Sequence, residues 1–455
     1  MTSPSRPVAE IDAENLVLQG PKTFRVHGSV YTDEAVFREE MQRIYSSTWV
    51  FVAHESQLPH PGDYKTSHIG LQPVIVSRSE DGAVHVLFNR CVHRAAVVCR
   101  MDKGTANYFR CPYHGWVYGN DGRLTGISQR GGGYDDDFDA PEGLKRAARV
   151  ESYRGLVFAS LNPDVPPLTE HLGNARHWID RQFDRSPEGS IDLRYAPHVS
   201  QYEGNWKFQA ENTVDGYHGD HVHESFWMVQ EQFGRESGTH GAYTQSSVRD
   251  IKKMRRQGQV MGFEGGHGLW NTPFDPAALD GLLAGPHADY YQTLLDRHGR
   301  DELLVMLSNI NVYVFPNLGV LHGQLRVIRP MTVERTEVAL YPFALSGAPD
   351  ALNEERLAGY ERFFGPSSFG SPDDVEIFAL NQEGLQAGAV DWLILERGIS
   401  REKVVDDVDR TSHVTDETPQ RQFYRRWLRA MGASAVPDTV PEPLRAQARV
   451  AGAQA

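Results

Sequence analysis

Cys91-Val-His93-Arg94 and, further on, Cys111-Pro-Tyr-His114-Gly-Trp116 each offer one thiolate and one imidazole from a short stretch of chain. Structural zinc also uses two Cys and two His. Zinc fingers, however, keep the Cys together and the His together, whereas here the order alternates Cys-His, Cys-His. Two loops that each give one of each suit a two-iron cluster, with both Cys on one iron and both His on the other. Neutral imidazoles in place of thiolates make such a cluster less negative and raise its potential. Cys99 lies between the halves, fits no ligand slot and reads as a small buried apolar residue.

A second segment runs Asn212-Thr-Val-Asp215-Gly-Tyr217-His218-Gly-Asp220-His221-Val-His223. Taken plainly, it is a polar helix end with solvated histidines. Iron that activates O₂ wants two His and one carboxylate on one face, leaving positions open. On a regular α-helix His218 and His223 point about 140° apart. His218 and His221, three apart, share a face more naturally. Asp215, three residues before His218, can face it. A distant carboxylate would complete the set, and Gly370-Ser371-Pro372-Asp373-Asp374 opens a helix with Val375, Phe378 and Gln382 on one face. Ser371 as N-cap, Pro372 at the first position and acids in the first turn also make an ordinary helix start.

The elements that must position these residues are of two kinds. The first thirty residues look loosely ordered, and a helix with Val36, Met41, Ile44 and Tyr45 then opens behind Thr32 as N-cap. From about Gly62 short strands and turns take over, including a hairpin of 73–77 and 83–88, the turn Gly119–Gly122 and an exposed loop at 131–137. Beyond Pro166-Pro167 helices mix with strands. Leu168 to Phe183 is amphipathic, Val305 to Ala344 alternates as strands, and 373–385 and 419–431 read as helices. The division expected is an N-terminal helical segment (1–45) packing on the catalytic domain, a β domain (46–165), a larger α+β domain (166–435) and a tail (436–455).

A chain of 455 residues gives about three domains as a loose prior. Its formal net charge of −14 argues against nucleic acid, and no apolar run approaches the ~18 residues of a membrane span. Three cysteines make no disulfide framework and suit a reducing cytoplasm. The N-terminal stretch lacks the pattern of a signal peptide. No strand–GxGxxG–helix unit or Walker loop occurs, so no nicotinamide or flavin site is expected. The expectation is a cytoplasmic enzyme that takes electrons from a separate protein.

C-x-H-R…C-x-x-H-G-W resembles the Rieske [2Fe–2S] motif of the large (alpha) subunits of ring-hydroxylating, non-haem iron oxygenases. E-N-x-x-D-x-Y-H-x-x-x-x-H (from Glu211) is similar to their mononuclear iron motif, and Asp-Asp followed by Gln382-Glu-Gly384 to their third-ligand segment. The family often has Gly after His-Arg, where Ala95-Ala96 stands here; no consequence for the ligands is expected. The resemblance implies Cys91, His93, Cys111 and His114 as cluster ligands. It implies His218, His223 and Asp374 as Fe(II) ligands, with Asp373 the alternative to Asp374. The helix would then break between the two histidines, as Gly219 permits. Asp215 would guide electrons from a neighbouring subunit's Rieske histidine, and Asn212 would stand in the iron pocket.

The fold implied is α+β: a small all-β Rieske domain inserted in a helix-grip catalytic domain. Length and motifs look like benzoate or biphenyl dioxygenase large subunits. The function implied is the terminal oxygenase of a dioxygenase system, adding both atoms of O₂ to an arene, an aromatic carboxylate among the candidates, to give a cis-dihydrodiol. Its partners would be a ferredoxin or NAD(P)H reductase, two further copies of the chain, and a small β subunit (α₃β₃). A Rieske monooxygenase or demethylase is the rival, and a plain electron-transfer protein a further one.

Overall fold

The computed structural model describes residues 13–237, 253, 256–368 and 370–432. The expected tail lies outside the described residues.

From residue 13 on, the N-terminal segment is more ordered than its composition suggests. Val17–Gly20 and Thr23–His27 form an antiparallel hairpin, and Trp392–Ile394 adds a third strand to it. Val17, Phe24 and Val26 are buried by this pairing. The partner strand lies far along the chain, so local reading misses it. Thr32 ends a short helix, Ser29–Thr32, and does not cap the next one. Asp33 does so instead, its side chain accepting from the Ala35 N–H at 2.6 Å. The helix Glu34–Glu40 continues into a wider turn, Met41–Tyr45. Glu40 is fully buried, where its carboxylate accepts from Lys207 Nζ at 2.7 Å, Trp206 Nε1 at 2.9 Å and Trp427 Nε1 at 2.7 Å. One buried anion thus ties this segment to two helices of the catalytic domain.

The β block carries two small antiparallel sheets. One has the order Val84–Phe88, Gln72–Arg78, Asp63–Ile69, Lys103–Thr105, and the other Leu124–Gly126, Val117–Gly119, Tyr108–Arg110. They enclose their own core, with Ile75, Leu87, Phe109, Trp116 and Tyr118 around Cys91, Cys99 and Cys111. A third sheet, Arg149–Tyr153, Leu156–Ser160 and Val50–His54, packs into the cores of the larger domain.

That larger domain is built on a nine-stranded antiparallel sheet. Its order is His198–Glu203, Arg335–Pro342, Gln324–Thr332, Leu318–Leu321, Asn309–Val314, Gly268–Thr272, Gln259–Gly262, Asp409–His413, Lys403–Val405. The reading of strands from Val305 starts too early, since Arg300–Leu307 is helical. Side chains alternate between faces, as period-2 geometry requires. Val312, Val320 and Leu325 pack with the helices Ala175–Phe183, Ala288–His298 and Arg300–Leu307. Tyr313, Ile328 and Val338 share a core with Trp206, Phe208, Phe378, Phe423 and Trp427 from the opposite helices. The amphipathic 168–183 stretch is two helices, because Gly173 at φ +48° ends Leu168–Leu172. Ser371 is the first residue of the helix Ser371–Gly384, and Gly370 stands at the cap without a side-chain bond. Thr418–Ala430 packs on the strands Gly268–Thr272, Gln259–Gly262 and Asp409–His413, toward one edge of the sheet. Among the described residues no helix is long and apolar enough to cross a membrane.

Candidate iron centres

The two Cys-His segments fold into loops of the same shape. The Cys91 N–H donates to Ala96 O at 2.8 Å and the Ala95 N–H to Cys91 O at 3.0 Å. In the other loop the Cys111 N–H donates to Trp116 O at 2.8 Å and the Gly115 N–H to Cys111 O at 3.1 Å. The fourth residue after each Cys is left-handed, at φ +63° for Ala95 and +70° for Gly115. Glycine takes that conformation freely and alanine does not. Ala95 therefore carries backbone strain within its loop that Gly115 does not.

Both loops point their side chains at one place. The rings of His93 and His114 are 4.7 Å apart, and His93 stacks flat on Trp116 at 4.9 Å. Cys91 and Cys111 are buried. Tyr118 Oη lies 3.1 Å from Cys91 Sγ. Burial alone would raise the Cys91 thiol, but Tyr118, the His93 backbone N–H and Cys111 outweigh it and hold its pKa below the ordinary value. His93 Nδ1 is buried with no hydrogen-bond partner, which a metal would satisfy. Cys99 faces elsewhere, its N–H on Asn89 Oδ1 and its Sγ 3.6 Å from Met101 O.

The second centre starts on the helix Trp206–Asn212, capped by the Asn205 side chain on the Lys207 N–H at 3.1 Å. The chain then leaves regular helical geometry. Gly216 passes so close to the Val414 carbonyl and the Trp270 indole that a Cβ would collide with both. His218–Asp220 is a 3₁₀ turn, and a new helix, Glu224–Ser237, starts after His223. Regular helical spacing therefore does not apply between the histidines. His221 is exposed, its ring beside Tyr217. His218, His223 and Asp374 meet instead, with ligand atoms all within 4.8 Å of one another. His218 Nε2 is 3.5 Å and His223 Nε2 3.4 Å from Asp374 Oδ1. Two ligand atoms each about 2.1 Å from one ion are roughly 3–3.5 Å apart, so the set fits a single metal with open positions. Asp373 turns away and accepts from Ser225 Oγ at 3.2 Å.

Asn212 joins the centre: its Nδ2 is 3.1 Å from Asp374 Oδ1 and 3.2 Å from His218 Nε2. Asp215 lies behind His218, its Oδ2 3.3 Å from Nδ1, while its Oδ1 accepts the Tyr217 N–H at 2.6 Å. Burial would raise the Asp215 pKa, but His218 and the Tyr217 N–H hold it below the usual carboxylate range. Aromatic rings wall the site, Phe363 at 5.0 Å from His223 and Phe226 at 4.9 Å from Phe363. Phe208, on the helix that ends at Asn212, stacks on Tyr31, and Val214 packs under Gly268. Arg326, which sequence reading missed, donates from Nη1 to Asn212 Oδ1 at 3.3 Å. The signal available was an Arg at an inward position of an alternating strand.

A two-loop Cys/His cluster site joined to a two-His-one-carboxylate centre defines the Rieske non-haem iron oxygenases. Residues 48–142 match the Rieske [2Fe-2S] domain, and residues 190–433 match the ring hydroxylating alpha subunit (catalytic domain). The chain thus belongs to the ring-hydroxylating oxygenase alpha-subunit family, whose cofactors are a Rieske [2Fe–2S] cluster and mononuclear iron. It is 36% identical over 384 residues to the 2-halobenzoate 1,2-dioxygenase large subunit of Burkholderia cepacia, covering 82% of this chain and 80% of that one. It is 36% identical over 383 residues to the toluate 1,2-dioxygenase alpha subunit of Pseudomonas putida, covering 81% and 80%. Naphthalene 1,2-dioxygenase with indole in its active site has the same fold, with TM-score 0.80, 26% identity and coverage of 93% and 96%.

Proposed function

We propose that this chain is the alpha subunit of a terminal oxygenase that dihydroxylates an aromatic ring. In balance, one arene, one O₂, two electrons and two protons give one cis-dihydrodiol. The observation that carries the reading is the convergence of His218, His223 and Asp374 inside a wall of aromatic rings. Similarity to halobenzoate, toluate and anthranilate 1,2-dioxygenase large subunits supports it.

Cys91, Cys111, His93 and His114 hold the cluster in this reading, and His218, His223 and Asp374 hold Fe(II). The cluster and the iron supply electrons and an O₂ binding site when bound. Asn212 orients the Asp374 carboxylate through its N–H. Asp215 holds the far nitrogen of His218 and is itself only part-buried, so that a neighbouring subunit's cluster domain would dock over it. The assembly is three such chains, with a small β subunit in an α₃β₃ complex, in the cytoplasm. Electrons come from a separate ferredoxin or reductase, as the family requires.

A second reading has its own support. The N,N-dimethyl phenylurea N-demethylase alpha subunit of Sphingobium is 30% identical over 442 residues, covering 90% of this chain and 92% of that one. Turnover under ¹⁸O₂ separates the two. A dioxygenase places both labelled atoms in one organic product, and a demethylase or monooxygenase places one there and one in water. Iron analysis tests the whole: an oxygenase holds three irons per chain, an electron carrier two.

A further inference from the structure

Arg326 occupies the strand Gln324–Thr332 on the sheet face that meets the helix Trp206–Asn212. It is a buried cation, 4% exposed. Among the described residues its hydrogen bonds are two long ones from Nη1, 3.3 Å to Asn212 Oδ1 and 3.4 Å to Thr213 Oγ1, and Nε has no partner. Neither acceptor is an anion; the Asp374 carboxylate beyond Asn212 acts on the guanidinium through space, with no hydrogen bond between them. Two residues along the same strand face, Gln324 is fully buried, and neither its amide oxygen nor its nitrogen has a partner. Buried charge and buried amides are stable only when hydrogen bonds replace the lost water. Here that replacement is incomplete, and it is incomplete beside the metal centre.

Two routes connect the guanidinium to that centre. One is a single amide long, since Asn212 accepts from Arg326 and donates to Asp374 at 3.1 Å. The other is a run of rings. Phe364 lies 5.8 Å from the guanidinium, Phe363 4.7 Å from Phe364, and His223 5.0 Å from Phe363. Cation, aromatic rings and metal ligands thus follow one another in contact from Arg326 to His223.

We propose that Arg326 is a specificity-determining residue that holds the carboxylate of an aromatic carboxylate substrate, its Nε and Nη donors pairing the two carboxylate oxygens. The planar fork of a guanidinium matches a carboxylate in this way, and desolvation strengthens the pair. The substrate ring packs against Phe363 and Phe364. Halobenzoate, toluate and anthranilate, for which three relatives are named, all bear a ring carboxylate. This inference rests on the aromatic-oxygenase reading above and narrows it to anionic arenes.

The test uses the full enzyme, loaded with cluster and iron, and compares benzoate with nitrobenzene, which has the same shape without the charge. Benzoate binding is measured by anaerobic calorimetry, and kcat and KM for both compounds with a donor system. The parent is expected to prefer benzoate by about 100-fold or more in kcat/KM, as a site built to pair a charge should. In Arg326→Gln the preference falls to within about threefold of unity, chiefly through KM, and benzoate affinity drops by about 100-fold. Arg326→Lys, which keeps the charge but not the fork, recovers about tenfold of the preference.

An unchanged preference in Arg326→Gln would mean that Arg326 serves only to hold Asn212, and would overturn the proposal. Should Arg326→Gln not accumulate as folded protein, a full preference in Arg326→Lys overturns it equally. A parent that hydroxylates both arenes without preference defeats the carboxylate site and leaves the oxygenase reading intact. A parent that binds benzoate through Arg326 but hydroxylates nothing does the reverse.

Discussion

Asn212 Nδ2 lies 3.1 Å from Asp374 Oδ1, joining the end of one helix to the first turn of another across 162 residues of sequence. Arg326, on the other side, fixes which way the amide faces: its Nη1 bonds Asn212 Oδ1, so the N–H side must point at the carboxylate. Removing the bond frees Asp374 to rotate. Asn212→Ala is expected to lower iron affinity or turnover by about 10–100-fold while the visible Rieske spectrum stays as in the parent. Iron content against cluster absorbance reads this out, and equal loss of both would count against it.

The ligand set makes a prediction about the histidine that sequence spacing favoured. His218→Ala, His223→Ala and Asp374→Ala should each lose the mononuclear iron and keep two irons per chain. His221→Ala should keep all three, because its ring is exposed and directed at Tyr217. Iron loss in His221→Ala with retention in His223→Ala would reverse the assignment.

Asp215 touches His218 without belonging to the triad. Asp215→Asn keeps size and much of the hydrogen bonding but removes the charge, so both centres should assemble. Rieske oxidation in a single turnover of fully reduced protein, with substrate and O₂, should nevertheless slow by orders of magnitude. Oxidation at the parent rate would make Asp215 a structural residue and remove the inter-subunit route.

Tyr118 Oη lies 3.1 Å from Cys91 Sγ and would donate to it once that sulfur is a cluster thiolate. A hydrogen bond to sulfur stabilises the more negative, reduced cluster. Tyr118→Phe should therefore keep the cluster and lower its potential. A bond of about 1 kcal/mol corresponds to roughly 20–60 mV for one electron. Potentiometric titration followed by optical absorbance measures the shift, and a rise would contradict the geometry.

Ala95 holds the left-handed conformation that Gly115 holds in the matching loop. Ala95→Gly should relieve that strain and raise the stability of the Rieske block by roughly 0.5–1 kcal/mol, net of the greater freedom of unfolded glycine. Thermal loss of the Rieske absorbance would move upward in temperature. Gly115→Ala should move it downward.

The sequence by itself determined the chemistry. Alternating Cys-His pairs, clustered histidines and an Asp-Asp helix start are local patterns, and each ligand type is written in the residue itself. It also determined the helices and hairpins whose apolar period is complete within ten or so residues, such as 418–430 and the hairpin around Gly82. The N-terminal hairpin was not legible, because what buries Phe24 and Val26 is a strand contributed by Trp392–Ile394.

Only the tertiary structure decided between neighbours of like chemistry. His223 rather than His221, and Asp374 rather than Asp373, turn inward because the chain breaks its helix after Asn212 and because the helix from Ser371 presents one acid to the site and the other to Ser225. Arg326 and Asn212 gained their meaning the same way. A buried cation is identified by what surrounds it, and what surrounds Arg326 comes from a helix more than a hundred residues earlier in the chain. Local spacing carries residue type and period, whereas direction and partnership are set when distant segments pack.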